Sequence, residues 1–114
     1  FLFHSDSPLG PWTPHRQNPV VTDVRRSRPA GPLFVRNGRL IRPSQDSGAE
    51  YGRRIVFNEV RRLDPLHYEE TTLAVLEPDW APEMRGCHTY ARCGTLEVLD
   101  ARFLVPAAQT RAPR

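Results

Sequence analysis

The chain contains no lysine, and all sixteen of its basic residues are arginine. We read this as the codon usage of a GC-rich genome. The arginines are scattered, with pairs at Arg25-Arg26, Arg53-Arg54 and Arg61-Arg62. No basic run is interleaved with aromatic residues, so the net charge of +3 does not make a nucleic-acid binder. No apolar run approaches the eighteen or so residues of a membrane-spanning helix. No Ser/His/Asp elbow, P-loop or dinucleotide fingerprint is present, and no cofactor is expected. There are two cysteines, Cys87 and Cys93, too few for a disulfide-built scaffold. With His88 between them they offer zinc-type ligands, but a fourth ligand and the usual spacing are missing. Two reduced thiols are the simplest reading, with a disulfide across a hairpin as the rival. No signal peptide is evident, and the start at Phe1 reads as the start of a fragment.

Proline and glycine, in contrast, are plentiful. Twelve prolines and seven glycines fall between β-rich runs, which favours an all-β fold with many turns. Phe1–His4 reads as the end of a strand. A Pro/Gly connection follows to Pro14, with Gly10-Pro11 as a sharp bend and Trp12 as the apolar plug that packs it. Val20-Val21 reads as a short extended piece. Strands are expected over 32–36 and 39–42, joined at Asn37-Gly38, where both residues tolerate positive φ. Ser44–Tyr51 reads as a polar loop, 53–63 as a long strand, Asp64-Pro65 as a turn and 68–76 as a fourth strand. A helix over 67–76 is the rival there, because Glu69 and Glu70 favour helix. After a linker at 78–82, residues 88–92 and 95–103 read as a hairpin turning at Cys93-Gly94.

Four sequential antiparallel strands from 32 to 76 make a unit the size of one β-propeller blade. The long strand is apolar on both parities, with Ile55 and Phe57 on one side and Val56 and Val60 on the other. Both its faces therefore need neighbours, and the isolated chain is expected to expose apolar surface. The domain organisation that follows is a partial propeller over 1–104, with a complete blade at about 31–77, a closing hairpin at about 86–104 and a flexible tail at 105–114.

The candidate functional residues are Arg28, Gln45, Asp46, Glu59 and His88. Pro29 holds Arg28 extended, and on an inner strand Arg28 would face the central axis, where a guanidinium suits a carboxylate or phosphate. Its alternative is a structural tie to loop carbonyls. Gln45-Asp46 offers the donors and acceptors that sugar hydroxyls need. Asp46 is a candidate general base, or else a cap on the turn to Gly48. Glu59, inside an apolar strand, must be paired or protonated. It is a candidate catalytic acid or half of a salt bridge to Arg28 or Arg42. His88 is a candidate ligand or proton-transfer group, or a histidine hydrogen-bonded under a loop. A glycosidase needs two carboxyl groups about 5–9.5 Å apart, and Asp23, Asp46 and Glu59 are the available acids. Arg28 and Asp46 are expected to share the narrow inner edge of the sheet.

The segment Asp6-Ser7-Pro8-Leu9-Gly10-Pro11-Trp12 is similar to the inter-blade signature of arabinanase- and levansucrase-like five-bladed β-propeller glycoside hydrolases. The runs Asn18-Pro19-Val20-Val21, Asp23-Val24-Arg25-Arg26-Ser27-Arg28-Pro29-Ala30-Gly31 and Arg42-Pro43-Ser44-Gln45-Asp46 are more specific. With Tyr51-Gly52, Asn58-Glu59-Val60, His88-Thr89 and Gly94–Asp100, they resemble the propeller domain of the glucosamine inositolphosphorylceramide transferase family, over nearly all of 1–103. The resemblance implies a C-terminal propeller fragment whose 88–103 segment pairs with a first blade outside the chain. It also implies that the acids of the hydrolase clan lie largely in earlier blades. The implied function is a carbohydrate-active or carbohydrate-binding propeller in glycoconjugate metabolism, whose partner is a carbohydrate or sugar-bearing metabolite. The alternative is a non-catalytic scaffold docking a formyltransferase-like or glycosyltransferase-like domain. A cytoplasmic location is the accompanying expectation.

Overall fold

The computed structural model describes residues 1–105. Among them there is no helix. The eleven strands are β1 (Phe3–His4), β2 (Thr13–Pro14), β3 (Arg28–Pro29), β4 (Phe34–Arg36), β5 (Arg39–Asp46), β6 (Arg54–Leu63), β7 (Tyr68–Leu76), β8 (Met84–Gly86), β9 (Tyr90–Cys93), β10 (Leu96–Leu99) and β11 (Arg102–Phe103). All pairings are antiparallel.

The central sheet runs β3-β5-β6-β7, with β4 also on β5. β3 lies against Gln45 and Ser44, and β4 against Ile41, Leu40 and Arg39. The two are therefore successive pieces of one edge strand, interrupted between Pro29 and Phe34. The interruption sits opposite Pro43. The Pro43 carbonyl accepts a hydrogen bond from Ala30 N at 3.0 Å. Its missing N–H faces the same edge, at the gap where no strand needs it. The Asn37-Gly38 turn forms as expected, with φ of 51° and 72°, and joins Arg36 to Arg39.

β7 spans the expected residues, and β-branched Thr71, Thr72 and Val75 override the helix preference of its glutamates. Other expectations need correction. Ser44, Gln45 and Asp46 are not loop residues; they are the buried end of β5. Trp12 is no plug: it is 57% exposed and stacks beside Gly10 in the β1–β2 connection. Val20-Val21 forms no strand. The expected closing hairpin is two units: β9–β10, joined through Gly94-Thr95, and β8–β11. The expected tail falls almost wholly on 106–114, outside the described residues. Both cysteines are free, Cys87 buried and Cys93 exposed.

Side chains alternate across a pleated sheet, and cross-strand partners share a face. One face of the central sheet thus carries Ile41, Pro43, Gln45, Ile55, Phe57 and Glu59; the other carries Arg42, Ser44, Asp46, Val56 and Asn58. The first packs against the segment from Met84 onward. Its core is Ala30, Ile55, Met84, Cys87 and Tyr90, flanked by Phe34, Phe57 and Leu76. Tyr90 meets Phe57 at 4.9 Å and Phe34 at 5.2 Å between ring centroids. The second face is covered by residues 23–27 and is held by polar contacts. Large apolar side chains remain exposed at both ends of the chain, among them Phe3, Trp12, Val98 and Phe103.

Candidate functional site

The polar face is built around buried ion pairs. Arg42 grips Glu70 through two hydrogen bonds of 2.7 Å each, and its Nη2 also donates to Arg26 O at 2.8 Å. Tyr68 donates its hydroxyl to the same carboxylate. Burial opposes the Glu70 charge, but the Arg42 bonds outweigh it and hold the carboxyl below its ordinary range. Burial and the bond to Glu70 push the Tyr68 hydroxyl well up. Beside this pair, Asn58 donates to Ser44 Oγ at 2.8 Å and accepts from Thr72 Oγ1 at 3.3 Å.

Asp46 belongs to this face. Its Oδ1 accepts Gly48 N at 2.9 Å and its Oδ2 accepts Arg54 Nε at 2.8 Å; Arg54 also binds Glu77. Asp46 lines a cleft of about 380 Å³ with Asp23, Arg25, Arg26 and Arg54. Asp23 is clamped by Arg25 through bonds of 3.0 and 2.9 Å. The Arg25 bonds lower its pKa to about 2. Every carboxylate in the cleft is thus held by a guanidinium.

Glu59 projects from the other face. Its Oε2 lies 3.2 Å from Arg61 Nη2 and 3.7 Å from Arg39 Nη1, without hydrogen-bond alignment to either. The expected partners, Arg28 and Arg42, are not used. Arg42 pairs in register with Asn58, which puts it on the opposite face. Arg28 pairs with Gln45, four positions along β5 from the Glu59 partner Ile41.

The same alternation separates Arg28 from Asp46. Arg28 is the cross-strand partner of Gln45, so the next residue, Asp46, points through the sheet. The shared inner-edge pocket expected for these two side chains does not form. Arg28 gathers a different set. Its Cζ lies 5.0 Å from the Tyr51 ring centroid, over the ring, a cation–π geometry. Tyr51 meets His88 edge-on at 5.6 Å. His88 Nδ1 is bonded to Asp100 Oδ2. Asp100 Oδ1 accepts the backbone N–H groups of His88 at 2.8 Å and Thr89 at 2.7 Å. Burial opposes the Asp100 charge, and these backbone bonds outweigh it, so its carboxyl lies below the usual range. No carboxylate among the described residues reaches Arg28.

Two glycines allow the close approach that assembles this site. Gly52, at φ +67°, lies under His88, where a Cβ would stand 3.3 Å from the His88 Cβ. A Cβ on Gly86 would stand 2.2 Å from Gly52 O, so any side chain there would push the 86–88 segment off the 51–53 turn. Gln45 completes the neighbourhood. Its Nε2 donates to Pro29 O at 2.9 Å, while its buried Oε1 has no hydrogen-bond partner. Of the five candidate residues, the structure thus brings together Arg28, Gln45 and His88 at one edge, and leaves Asp46 and Glu59 elsewhere. Sequence reasoning passed over Tyr51 as a contact and Asp100 as the His88 partner. Asp100 directly follows a hairpin strand, a position where aspartate commonly binds nearby backbone N–H groups, and that was the available signal. Among the described residues, no three His, Cys, Asp or Glu side chains are grouped to hold a metal.

The family model described as "Glucosamine inositolphosphorylceramide transferase 1, N-terminal" matches residues 1–99. Glucosamine inositolphosphorylceramide transferase 1 of Oryza sativa subsp. japonica is 38% identical over 71 residues, 60% of this chain and 10% of that protein. The protein of the same name from Arabidopsis thaliana is 38% identical over 71 residues, 60% of this chain and 9% of its own length. The chain therefore spans about a tenth of the curated relatives it matches. No solved structure matches it at a significant level. By the match over residues 1–99, the chain belongs to the glucosamine inositolphosphorylceramide transferase family.

Proposed function

We propose that the chain supplies one complete blade and parts of its neighbours to a five-bladed β-propeller that binds a carbohydrate or sugar-bearing metabolite in glycoconjugate metabolism. The interrupted strand β3–β4 is the innermost strand of the blade, and the Arg28 rim faces the central axis. The observation that carries the reading is the chain of contacts from Arg28 through Tyr51 and His88 to Asp100 at that edge. It offers an exposed aromatic ring, a guanidinium without a carboxylate partner and a fixed imidazole, a combination suited to hydroxyl-rich and anionic ligands. The names of the relatives support the substrate class. The role is binding and orientation. Asp23, Asp46 and Glu59 are all engaged by arginines, which disfavours them as the paired acids of a hydrolase.

The test is calorimetric titration of the full protein with a panel of monosaccharides and nucleotide sugars. At least one should bind, and Tyr51→Ala should weaken it about tenfold through loss of the ring contact. A panel without binding, or binding untouched by Tyr51→Ala, would defeat the proposal. A second reading, a scaffold that docks a neighbouring catalytic domain, is favoured by the exposed Phe3, Trp12, Val98 and Phe103. It predicts that no sugar binds.

A further inference from the structure

We propose that His88 and Asp100 act as a tautomer-locked pair, in which Asp100 is a positioning residue that keeps His88 Nε2 free to accept a hydrogen bond from a ligand hydroxyl. The proposal rests on the reading of the Arg28 rim as a sugar site and goes beyond it by assigning one acceptor atom.

The geometry leaves little choice of tautomer. Asp100 is ionised at neutral pH, since its carboxyl lies below the usual range, and an ionised carboxylate only accepts hydrogen bonds. The His88 nitrogen facing it, Nδ1, must therefore carry the proton. In the neutral imidazole the lone pair then sits on Nε2. No hydrogen bond among the described residues engages that atom. About a third of the His88 side chain, 35%, remains exposed beside Tyr51. The two backbone bonds into Asp100 Oδ1 fix the carboxylate itself, so the imidazole is held by an acid that cannot swing away. The buried His15, by contrast, uses both ring nitrogens: Nε2 bonds Asp64 O at 2.8 Å and Nδ1 accepts Gln17 N at 3.1 Å.

The test uses the full protein labelled with ¹⁵N-histidine. In the wild type, the His88 imidazole should show the Nδ1–H tautomer. Asp100→Asn keeps an oxygen for the His88 and Thr89 N–H groups but presents an amide donor to Nδ1, so the tautomer should flip to Nε2–H. The sugar found to bind in the titration above should then bind about tenfold more weakly, matching His88→Ala. A wild-type Nε2–H tautomer, or a tautomer unchanged by Asp100→Asn, overturns the inference. If Arg28→Ala weakens sugar binding while Asp100→Asn changes neither tautomer nor affinity, the pair falls and the sugar site stands. If no sugar binds at all, the site reading falls, and the proposed role of Nε2 falls with it.

Discussion

The two faces of the central sheet are built from the same three long strands but cohere by different means. The face toward Tyr90 is held by close apolar packing. Ile55 is fully buried there, between aromatic rings and Met84. The face toward residues 23–27 is held by Arg42–Glu70, Asn58–Ser44 and Asp46–Arg54. Apolar packing tolerates a change of pH and salt, while buried ion pairs respond to both. The difference also explains the placement of the candidate site. Arginines on the polar face are engaged by structural carboxylates, whereas Arg28, rooted on the apolar side, lies over the Tyr51 ring.

The contrast is broken most severely by Arg42→Met. It leaves Glu70, with 4% of its side chain exposed, only the Tyr68 hydroxyl and the more distant Arg26, at 3.9 Å, in place of its two close guanidinium bonds. A loss of about 3–5 kcal/mol is expected in urea unfolding, and the double variant Arg42→Met/Glu70→Leu should recover most of it. A loss unchanged in the double variant would show that packing, not charge, holds this face. Ile55→Ala, on the other face, should cost about 2–5 kcal/mol through lost burial and the remaining cavity, with no added pH dependence. The acid response sharpens the comparison. Glu70 has a folded pKa below its ordinary 4.5. Its contribution is therefore present above that value and is lost as pH falls through the folded pKa. The wild type should destabilise below about pH 4.5, and Arg42→Met/Glu70→Leu should lose that part of the slope, as read by unfolding at pH 3 to 6. The smallest effect is expected from Gln45→Met. It removes one bond to Pro29 O together with an unpartnered buried oxygen, so stability should change by under about 1 kcal/mol.

Much of this fold is legible in the sequence because its signals are local. Asn37-Gly38 dictates its turn, and the β-branched residues of 71–75 settle β7. The expected strand ends at Arg42 and the expected loop begins at Ser44, whereas β5 runs on through Pro43 to Asp46, because a gap in the neighbouring edge removes the cost of the missing N–H. Once β5 was cut short there, Asp46 lost its parity, and its place on the face opposite Arg28 could not be read. The candidate site was half legible. Arg28, Gln45 and His88 stand out by type and position. Asp100 reaches His88 from twelve residues away through the path of β9 and β10, and Arg39 reaches Glu59 because Ile41 pairs with Glu59 across the sheet; neither is written in local pattern.

The proposed function places ligand recognition at the Arg28 edge and not in the Asp46 cleft. Calorimetric affinity for the best-binding sugar, compared between Arg28→Ala and Asp46→Asn in the full protein, tests it most directly. The account predicts a loss of about tenfold or more for Arg28→Ala and less than about twofold for Asp46→Asn. Binding abolished by Asp46→Asn and retained by Arg28→Ala would contradict it.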